Sequence, residues 1–554
     1  MLTEQTTSAR AQPGQGARPS RRTTLLLIAV VVAVVYLFLY PGAFSSRPVF
    51  SSPQGNVTHV LTERFADGEG FRQPLLHAER LDPDIARALV PRDAAGDGTS
   101  VVPKDFAGPM LLYGVLAWLW QPLAWLVASF AAAAGAVQLV RIVDALPRPG
   151  RTSRVRALSI AGTIALLLWI VYPPLMINGS QVYGSDTVSL ALMLTAVLHT
   201  IKFWRWGRTS DLIWTAVAFG GGVLFRYPNV LLGLPLAISL LATRRVTLRQ
   251  AGLALAAFLP SVIAILAFNR AVYGAATTTG YSLGAELISD TVNLGPGGLF
   301  KFDLAVAASF LRPYVLESPL LLAPPLIGLI LGIRHTRRAP ERALVLSLLA
   351  AAGLIVAFHI GHPAWGRDRT VVNASILRYL LPAAAIGFAF LAAEIAAIRR
   401  RRARALLVGL LIAGSLATAI FGYAGIAARA RFVRWHTDIR TEVIANTEPD
   451  ALVASKLADK YLWPDRQTLT LTYLVDNDSN APLGATRAWD HVPTPERFAD
   501  VAARVTAAGI ALYFLDDTEI GGLLAQYRGA LQSKGLRLTG VVPTEPALYR
   551  VTPR

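Results

Sequence analysis

The chain alternates between apolar runs of roughly twenty residues and short polar breaks, and each run is long enough to cross a hydrocarbon layer of about 30 Å as a helix. About eleven crossings are predicted, near 23–41, 112–142, 156–174, 186–203, 211–226, 228–243, 250–269, 316–333, 341–360, 376–397 and 405–424. The stretch 112–142 is longer than one crossing needs and is expected to include an interfacial helix. Arginine clusters at 18–22, 148–156, 202–208, 243–249, 334–338 and 399–404 follow every second run. They share one side of the membrane if the runs cross in pairs, as the positive-inside rule requires. The N-terminus is then cytoplasmic, and 42–106, 175–185, 270–315, 361–375 and everything after about 425 lie outside.

The polar first 22 residues carry Gly, Pro and Arg and are expected to be disordered. The run at 23–41 has a basic flank before it and small residues after it, which also fits a signal peptide; its length and the many later runs favour an uncleaved anchor. Beyond 425 the pattern changes: DALVAS, RQTLTLTYL, IALYFLDD and LRLTGVV read as strands and AARVTAAG as a helix. That alternation predicts a small α/β domain. The division is therefore 1–22 as a cytoplasmic N-terminus, 23–424 as a transmembrane domain with 42–106 as its first outer loop, and 425–554 as an extracytoplasmic α/β domain.

Composition removes the main rival. A net charge of +18 suggests a nucleic-acid partner, but the chain is 53% hydrophobic and only 16% charged, and its basic residues sit in the breaks between apolar runs. The charge is topological, and no nucleic-acid partner is expected. Without cysteine there is no disulfide, thiolate chemistry or Cys-based metal site. No Walker A, dinucleotide-binding or zinc-ligand spacing is present, so ATP-driven transport by this chain alone is not expected. The Ala, Arg, Leu and Gly bias points to a bacterial inner membrane, and the sequons at Asn56, Asn178, Asn373 and Asn477 are read as coincidental.

Several segments resemble one family. TERFADGEGF and VPKDFAGPMLLYG in the first loop, YGSDTVSLALML, GGGVLFRYPNVLLGLPL, NRAVYGAATTTGYS, FLRPYVLESPLLLAPPLIGL and ILRYLLPA follow the style and order of the GT-C superfamily, the membrane glycosyltransferases that use lipid-linked sugars, such as protein O-mannosyltransferases and lipid A aminoarabinose transferases. The resemblance covers roughly 24–424 and lies in order and topology rather than in any single fragment. It implies an α-helical polytopic GT-C-like fold with a long first periplasmic loop. It also implies a reaction in which a polyprenyl-phosphate sugar enters from the bilayer and its sugar passes to an outer acceptor: a glycan, lipid or protein. Such a reaction needs a carboxylate to take the acceptor proton and positive charge to stabilise the departing phosphate.

In many members the base is an Asp about a dozen residues before the small-residue turn. That register places Asn56 here, and an amide is not a base. Glu63, Asp67 and Glu69 are the nearest substitutes, although Asp67 and Glu69 in DGEG equally suit a turn. A helix over Asn56–Phe65 puts Asn56, His59 and Glu63 on one face, either toward a cavity or on the membrane surface. Asp186 opens an apolar run, as a helix cap or as the family's acidic residue that binds metal or positions phosphate. Magnesium or manganese is compatible with that role, and the sequence assigns no cofactor with certainty. Arg226 interrupts two runs beside Pro228, as an anion ligand or a snorkelling anchor. Arg378, Tyr379 and Lys104 are the other candidates for the donor phosphate, and His59, Tyr281, Arg312 and Trp365 for substrate. His359, His362 and Asp368 share a polar loop with Trp365, but Gly361 and Pro363 argue against a helical His pair as a metal site. The alternatives are a lipid-linked-glycan flippase, for which no internal repeat is seen, and an inactive scaffold, which Asn56 keeps open.

Overall fold

The apolar runs become helices in the computed structural model, which describes residues 21–39, 49–50, 52–96, 98–146, 159–287, 302–310, 319–336, 341–361, 377–474, 493–516, 523–542 and 547–554. Most of the N-terminal segment, and the positions of Arg312, His362, Trp365 and Asp368, lie outside these residues. In chain order the helices are α1 (Arg21–Phe38), α2 (Pro53–Ala66), α3 (Pro83–Arg87), α4 (Ala107–Trp120), α5 (Pro122–Ala145), α6 (Ile160–Ile170), α7 (Pro173–Gly179), α8 (Ser185–Trp206), α9 (Thr209–Phe225), α10 (Val230–Ala242), α11 (Leu248–Tyr273), α12 (Gly280–Leu287), α13 (Leu304–Ser309), α14 (Pro319–Thr336), α15 (Arg342–Ile360), α16 (Leu381–Ala397), α17 (Arg401–Ala445), α18 (Pro495–Ala507) and α19 (Leu523–Ser533).

Six described helices are long and apolar enough to span a bilayer, α6 and α7 form a further pair bent by 65°, and five shorter apolar helices run 10–17 residues. Where they are described, the expected runs coincide with helix; among the described residues six helices, or seven spans with the bent pair, have the length of a full crossing. The stretch 112–142 divides at Gln121–Pro122 into α4 and α5, since proline lacks the N–H that would continue the ladder. In the span Arg378–Ala397, 83% of the most apolar window is buried by protein, against 6% for Leu248–Tyr273. An apolar helix with so little protein around it has lipid as its partner. The backbones of α14 and α16 touch at Gly328 and Gly387, where a Cβ on either would collide with the other helix.

Among the described residues, the arginines at 205 and 245 meet at one end of the bundle. Arg205 at the end of α8 donates to Ala145 O at the end of α5 (2.9 Å), and Arg245 after α10 donates to Trp204 O (2.7 Å). Residues 401–404 start α17, whose 45 residues extend about 67 Å toward the opposite end.

At that opposite end, the sheet face, the first loop and the tail meet. The loop forms α2, α3 and a three-stranded antiparallel sheet of order β1 (Gln73–Pro74), β3 (Ser100–Pro103), β2 (Ala94–Gly96). The tail forms β4 (Leu452–Ser455), β5 (Gln467–Thr470), β6 (Leu512–Asp516), β7 (Leu536–Val542) and β8 (Ala547–Pro553) in the order β5-β4-β6-β8-β7. The β5-β4-β6 portion is parallel, and β8 and β7 add antiparallel.

Two features revise the sequence division. The helix expected to end near 424 continues to Ala445, because no breaker follows and Val433, His436, Ile439 and Val443 bury a helical stripe against the tail. Loop and tail also form one core, in which Leu61, Ile85, Leu89 and Val101 pack with Leu452, Leu469, Phe498 and Phe514. Backbone and side chain sew them together: Thr470 N donates to Ala88 O (2.8 Å) and Gln467 Nε2 to Leu89 O (2.6 Å).

Candidate active site

A pocket opens on the sheet face where five helix ends meet. Asp186 stands in the first turn of α8, where the positive end of the helix dipole favours a carboxylate, and it is 7% exposed. Arg226 ends α9 in extended backbone, and Tyr227–Asn229 make one tight turn before α10 returns. Pro228 in that turn is the breaker, so the guanidinium is delivered by a hairpin tip rather than a helix flank. Arg378 and Tyr379 occupy the short turn before α16, and His359 the last turn of α15.

Together with Ser189, Asn229, Ile355 and Pro382 these side chains line the pocket. The Arg226 guanidinium pairs with the Asp186 carboxylate and lies 4.0 Å from the Tyr379 ring centroid. Arg378 Nε lies 3.3 Å from the other Asp186 oxygen, and Arg378 Nη2 donates to the Tyr379 hydroxyl (2.8 Å). The His359 ring stacks on Tyr379 at 4.9 Å. Asn229 Nδ2 donates to Ser189 Oγ (2.6 Å) and Gly222 O (2.7 Å), fixing the hairpin tip on α8 and α9. Two guanidinium groups therefore share one carboxylate. Desolvated cations in surplus favour an anion, and planar guanidinium forks match phosphate oxygens.

Beside this pocket runs the segment after β3. Lys104 Nζ is 5.8 Å from the Tyr281 ring, and Phe106 packs on Tyr281 (5.3 Å) and on Tyr227 (4.6 Å), next to Arg226. Between them Asp105 accepts Gln54 Nε2 on both oxygens (3.0 and 2.8 Å). Burial raises its carboxyl above the ordinary range despite the Gln54 hydrogen bond; Asp93 pushes the same way, and Arg378 and Arg226 oppose.

Of the residues singled out from the sequence, Asp186, Arg226, Arg378 and Tyr379 converge, with Lys104 and Tyr281 alongside. Glu63 does not line this pocket. It accepts from Gln121 and faces His59 Nε2 at 3.4 Å, and burial raises its carboxyl. His59 is enclosed by Phe50 and Tyr183, bonds the Tyr183 hydroxyl at 2.9 Å, and is pushed down to about 3 by burial and by Arg440. Asp67 caps α2, exposed, and Glu69 pairs with Arg64 (2.5 Å) in the turn that Gly68 and Gly70 make at positive φ. Asn56 turns away as well: its amide donates to Asp459 O (3.2 Å) and Trp463 O (2.7 Å) in the tail.

Sequence reasoning passed over Asp105, His359, Ser189 and Asn229 as site residues. The one local signal for Asp105 was its place between Lys104 and Phe106 at the re-entry to an apolar helix. Among the described residues no three His, Asp or Glu side chains gather as metal ligands, and the carboxylate of Asp186 faces guanidiniums.

Residues 152–269, which include Asp186 and Arg226, match the family of dolichyl-phosphate-mannose-protein mannosyltransferases. The fold is similar to that of ArnT from Cupriavidus metallidurans bound to undecaprenyl phosphate, with a TM-score of 0.52 and 14% identity over 95% of this chain and 97% of that one. It is also similar to the oligosaccharyltransferase AglB from Archaeoglobus fulgidus in complex with an inhibitory peptide and a dolichol-phosphate (TM-score 0.50, 11% identity, 95% of this chain and 74% of that one). An A. fulgidus oligosaccharyltransferase complexed with zinc and sulfate matches with a TM-score of 0.55 and 12% identity, over 95% of this chain and 72% of that one. No curated protein matches the sequence. The resemblance drawn from the sequence thus meets two findings: residues 152–269 match a mannosyltransferase family model, and the fold along nearly the whole chain is similar to that of ArnT and the oligosaccharyltransferases.

Proposed function

We propose that the protein transfers a sugar from a polyprenyl-phosphate donor to an acceptor outside the bacterial inner membrane. The observation that carries this reading is the paired guanidinium site of Arg226 and Arg378, set with Tyr379 at helix ends on the sheet face. A lipid tail lies among the apolar helices while its phosphate reaches that site, which explains why the catalyst is built into a bilayer. Arg205 and Arg245, at the end of the bundle away from the sheets, support a cytoplasmic N-terminus and an extracytoplasmic loop and tail. Undecaprenyl phosphate and dolichol-phosphate in the similar structures favour a lipid phosphate as the anion.

In the reaction, the acceptor hydroxyl attacks the anomeric carbon, its proton passes to a carboxylate, and the bond from that carbon to the phosphate oxygen breaks. The electron pair stays on the phosphate, which gains negative charge as it leaves. Arg226 and Arg378 neutralise that charge, Tyr379 holds Arg378 in place, and Lys104 adds a cation at the rim. Asp186 keeps both guanidiniums oriented before the donor arrives.

The test is binding and transfer in nanodiscs. Wild-type protein is expected to bind undecaprenyl phosphate and to release or transfer radiolabelled sugar from undecaprenyl-phosphate hexose or pentose donors, and Arg378→Ala to lose both. A wild type that transports such donors across proteoliposomes without cleaving them establishes the flippase alternative instead.

A further inference from the structure

The reading above needs a carboxylate to take the acceptor proton, and the position at which related enzymes carry one is Asn56. The amide of Asn56 donates to two tail carbonyls, a task that a carboxylate, having acceptors only, cannot perform. That position is committed to joining loop and tail. Asp186 is committed to the two arginines. Glu63 is turned to Gln121 and His59, and Asp67 and Glu69 lie in an exposed turn.

We infer that Asp105 is the catalytic base of this chain, receiving the proton of the acceptor hydroxyl beside the phosphate site. Its carboxylate is held in a fixed direction by Gln54 through both oxygens. It stands one residue from Phe106, whose ring packs on Tyr227 beside Arg226, and one from Lys104, whose ammonium faces Tyr281. Arg226 and Arg378 are close enough to act on its charge, so base and phosphate site share one electrostatic environment. The segment Lys104–Phe106 thus supplies a cation for the leaving group and a base for the incoming one from adjacent positions.

The step balances without a further reagent. The acceptor O–H proton goes to Asp105, the acceptor oxygen bonds to the anomeric carbon, and the electron pair of the broken bond leaves on the phosphate. Asp105 then returns its proton to water. Its carboxyl, raised by burial, is matched to this task better than an exposed aspartate would be. The charged and titratable groups around it are Asp93, Lys104, Arg226, Arg378, Tyr113, Tyr273 and Tyr281.

The inference rests on the functional reading, so the experiment separates the two. Undecaprenyl-phosphate hexose and pentose, radiolabelled in the sugar, are presented to full-length protein in nanodiscs with a bacterial envelope extract as acceptor, and undecaprenyl phosphate binding is measured in parallel. Asp105→Asn is expected to lose about 100-fold or more in turnover while binding undecaprenyl phosphate within about threefold of wild type. Asp105→Glu is expected to recover part of the turnover with a displaced acid limb in its pH profile, which a merely structural role would not produce. Wild-type transfer with Asp105→Asn within about fivefold of it overturns this inference and leaves the functional reading intact. A wild type that neither binds nor transfers overturns both. Loss of binding and turnover together in Asp105→Asn, with no rescue by Asp105→Glu, assigns the residue to folding and also overturns the inference.

Discussion

A buried ion pair adds to the joint between loop and tail, and its removal has a calculable cost. Arg92 and Asp459 have side chains 8% and 1% exposed. Arg92 gives Asp459 a backbone N–H (2.6 Å), its Nε (3.0 Å) and its Nη2 (2.5 Å), and Nη2 also donates to Leu457 O (3.0 Å). Asp459→Leu leaves that guanidinium buried without its counter-ion, at about 3–5 kcal/mol. For a unit the size of loop plus tail this lowers the melting temperature by roughly 6–20 °C. The next residue, Asp93, is held at φ 61 and its charge reaches Asp105, so transfer is expected to fall as well. Differential scanning fluorimetry in detergent, with limited proteolysis of the tail, measures the first effect. Arg92→Met combined with Asp459→Leu is expected to recover most of the loss, because an apolar pair of similar volume leaves no stranded charge. A melting temperature for Asp459→Leu within about 2 °C of wild type, with the tail equally resistant to protease, refutes the reasoning.

Other perturbations separate the remaining roles. Arg226→Ala removes a charge-assisted phosphate contact of about 1.5–3 kcal/mol, so undecaprenyl phosphate binding should weaken by roughly 10- to 150-fold; Arg226→Lys should fall between, since an ammonium has no fork, and unchanged binding places the phosphate elsewhere. Asn56→Asp is expected not to raise activity but to destabilise the loop–tail core by about 3 kcal/mol or more, because a buried carboxylate would oppose two carbonyls; a gain in transfer contradicts that account. Glu63 has its carboxyl raised from 4.5 mainly by burial, so its ionisation costs stability that is fully present below 4.5 and lost as pH rises through the raised value. Glu63→Gln, which keeps the acceptor for Gln121, should therefore melt higher than wild type near pH 8 and equally near pH 4. A difference that persists at pH 4 counts against it.

The membrane architecture was legible because its signal is local: each run repeats apolar residues within one helix, and each arginine cluster adjoins the helix it orients. Arg226 and Asp186 stood out on the same ground, as charges interrupting apolar sequence. The tail strands were legible by alternation at β4, β5, β6 and β7, whereas β8 and α19 carried too few periodic residues to be told from loop. The length of α17 was misjudged because its character changes from lipid-facing to tail-facing near Gly425 without any break in backbone conformation. Asp105 was one carboxylate among many in the first loop, marked in the chain only by its place between Lys104 and Phe106 at the re-entry to an apolar helix. Its distinction comes from Arg226 and Arg378, more than a hundred residues away.

The sequence alone determined which runs are apolar enough for a bilayer and which polar residues interrupt them, because hydrophobic burial acts over a few neighbouring residues; the positive-inside bias adds an expected orientation. Only the tertiary structure decided that loop and tail are one core, that the Asn56 amide braces the tail, and that Asp105 is buried against Gln54 where the charges of Arg226 and Arg378 act on it. Those outcomes depend on hydrogen bonds and charge pairs between residues that are distant in the chain, such as Gln467 with Leu89 across 378 positions. No local pattern encodes such a pairing; it is selected by the fold that buries both partners and requires each polar group to be satisfied.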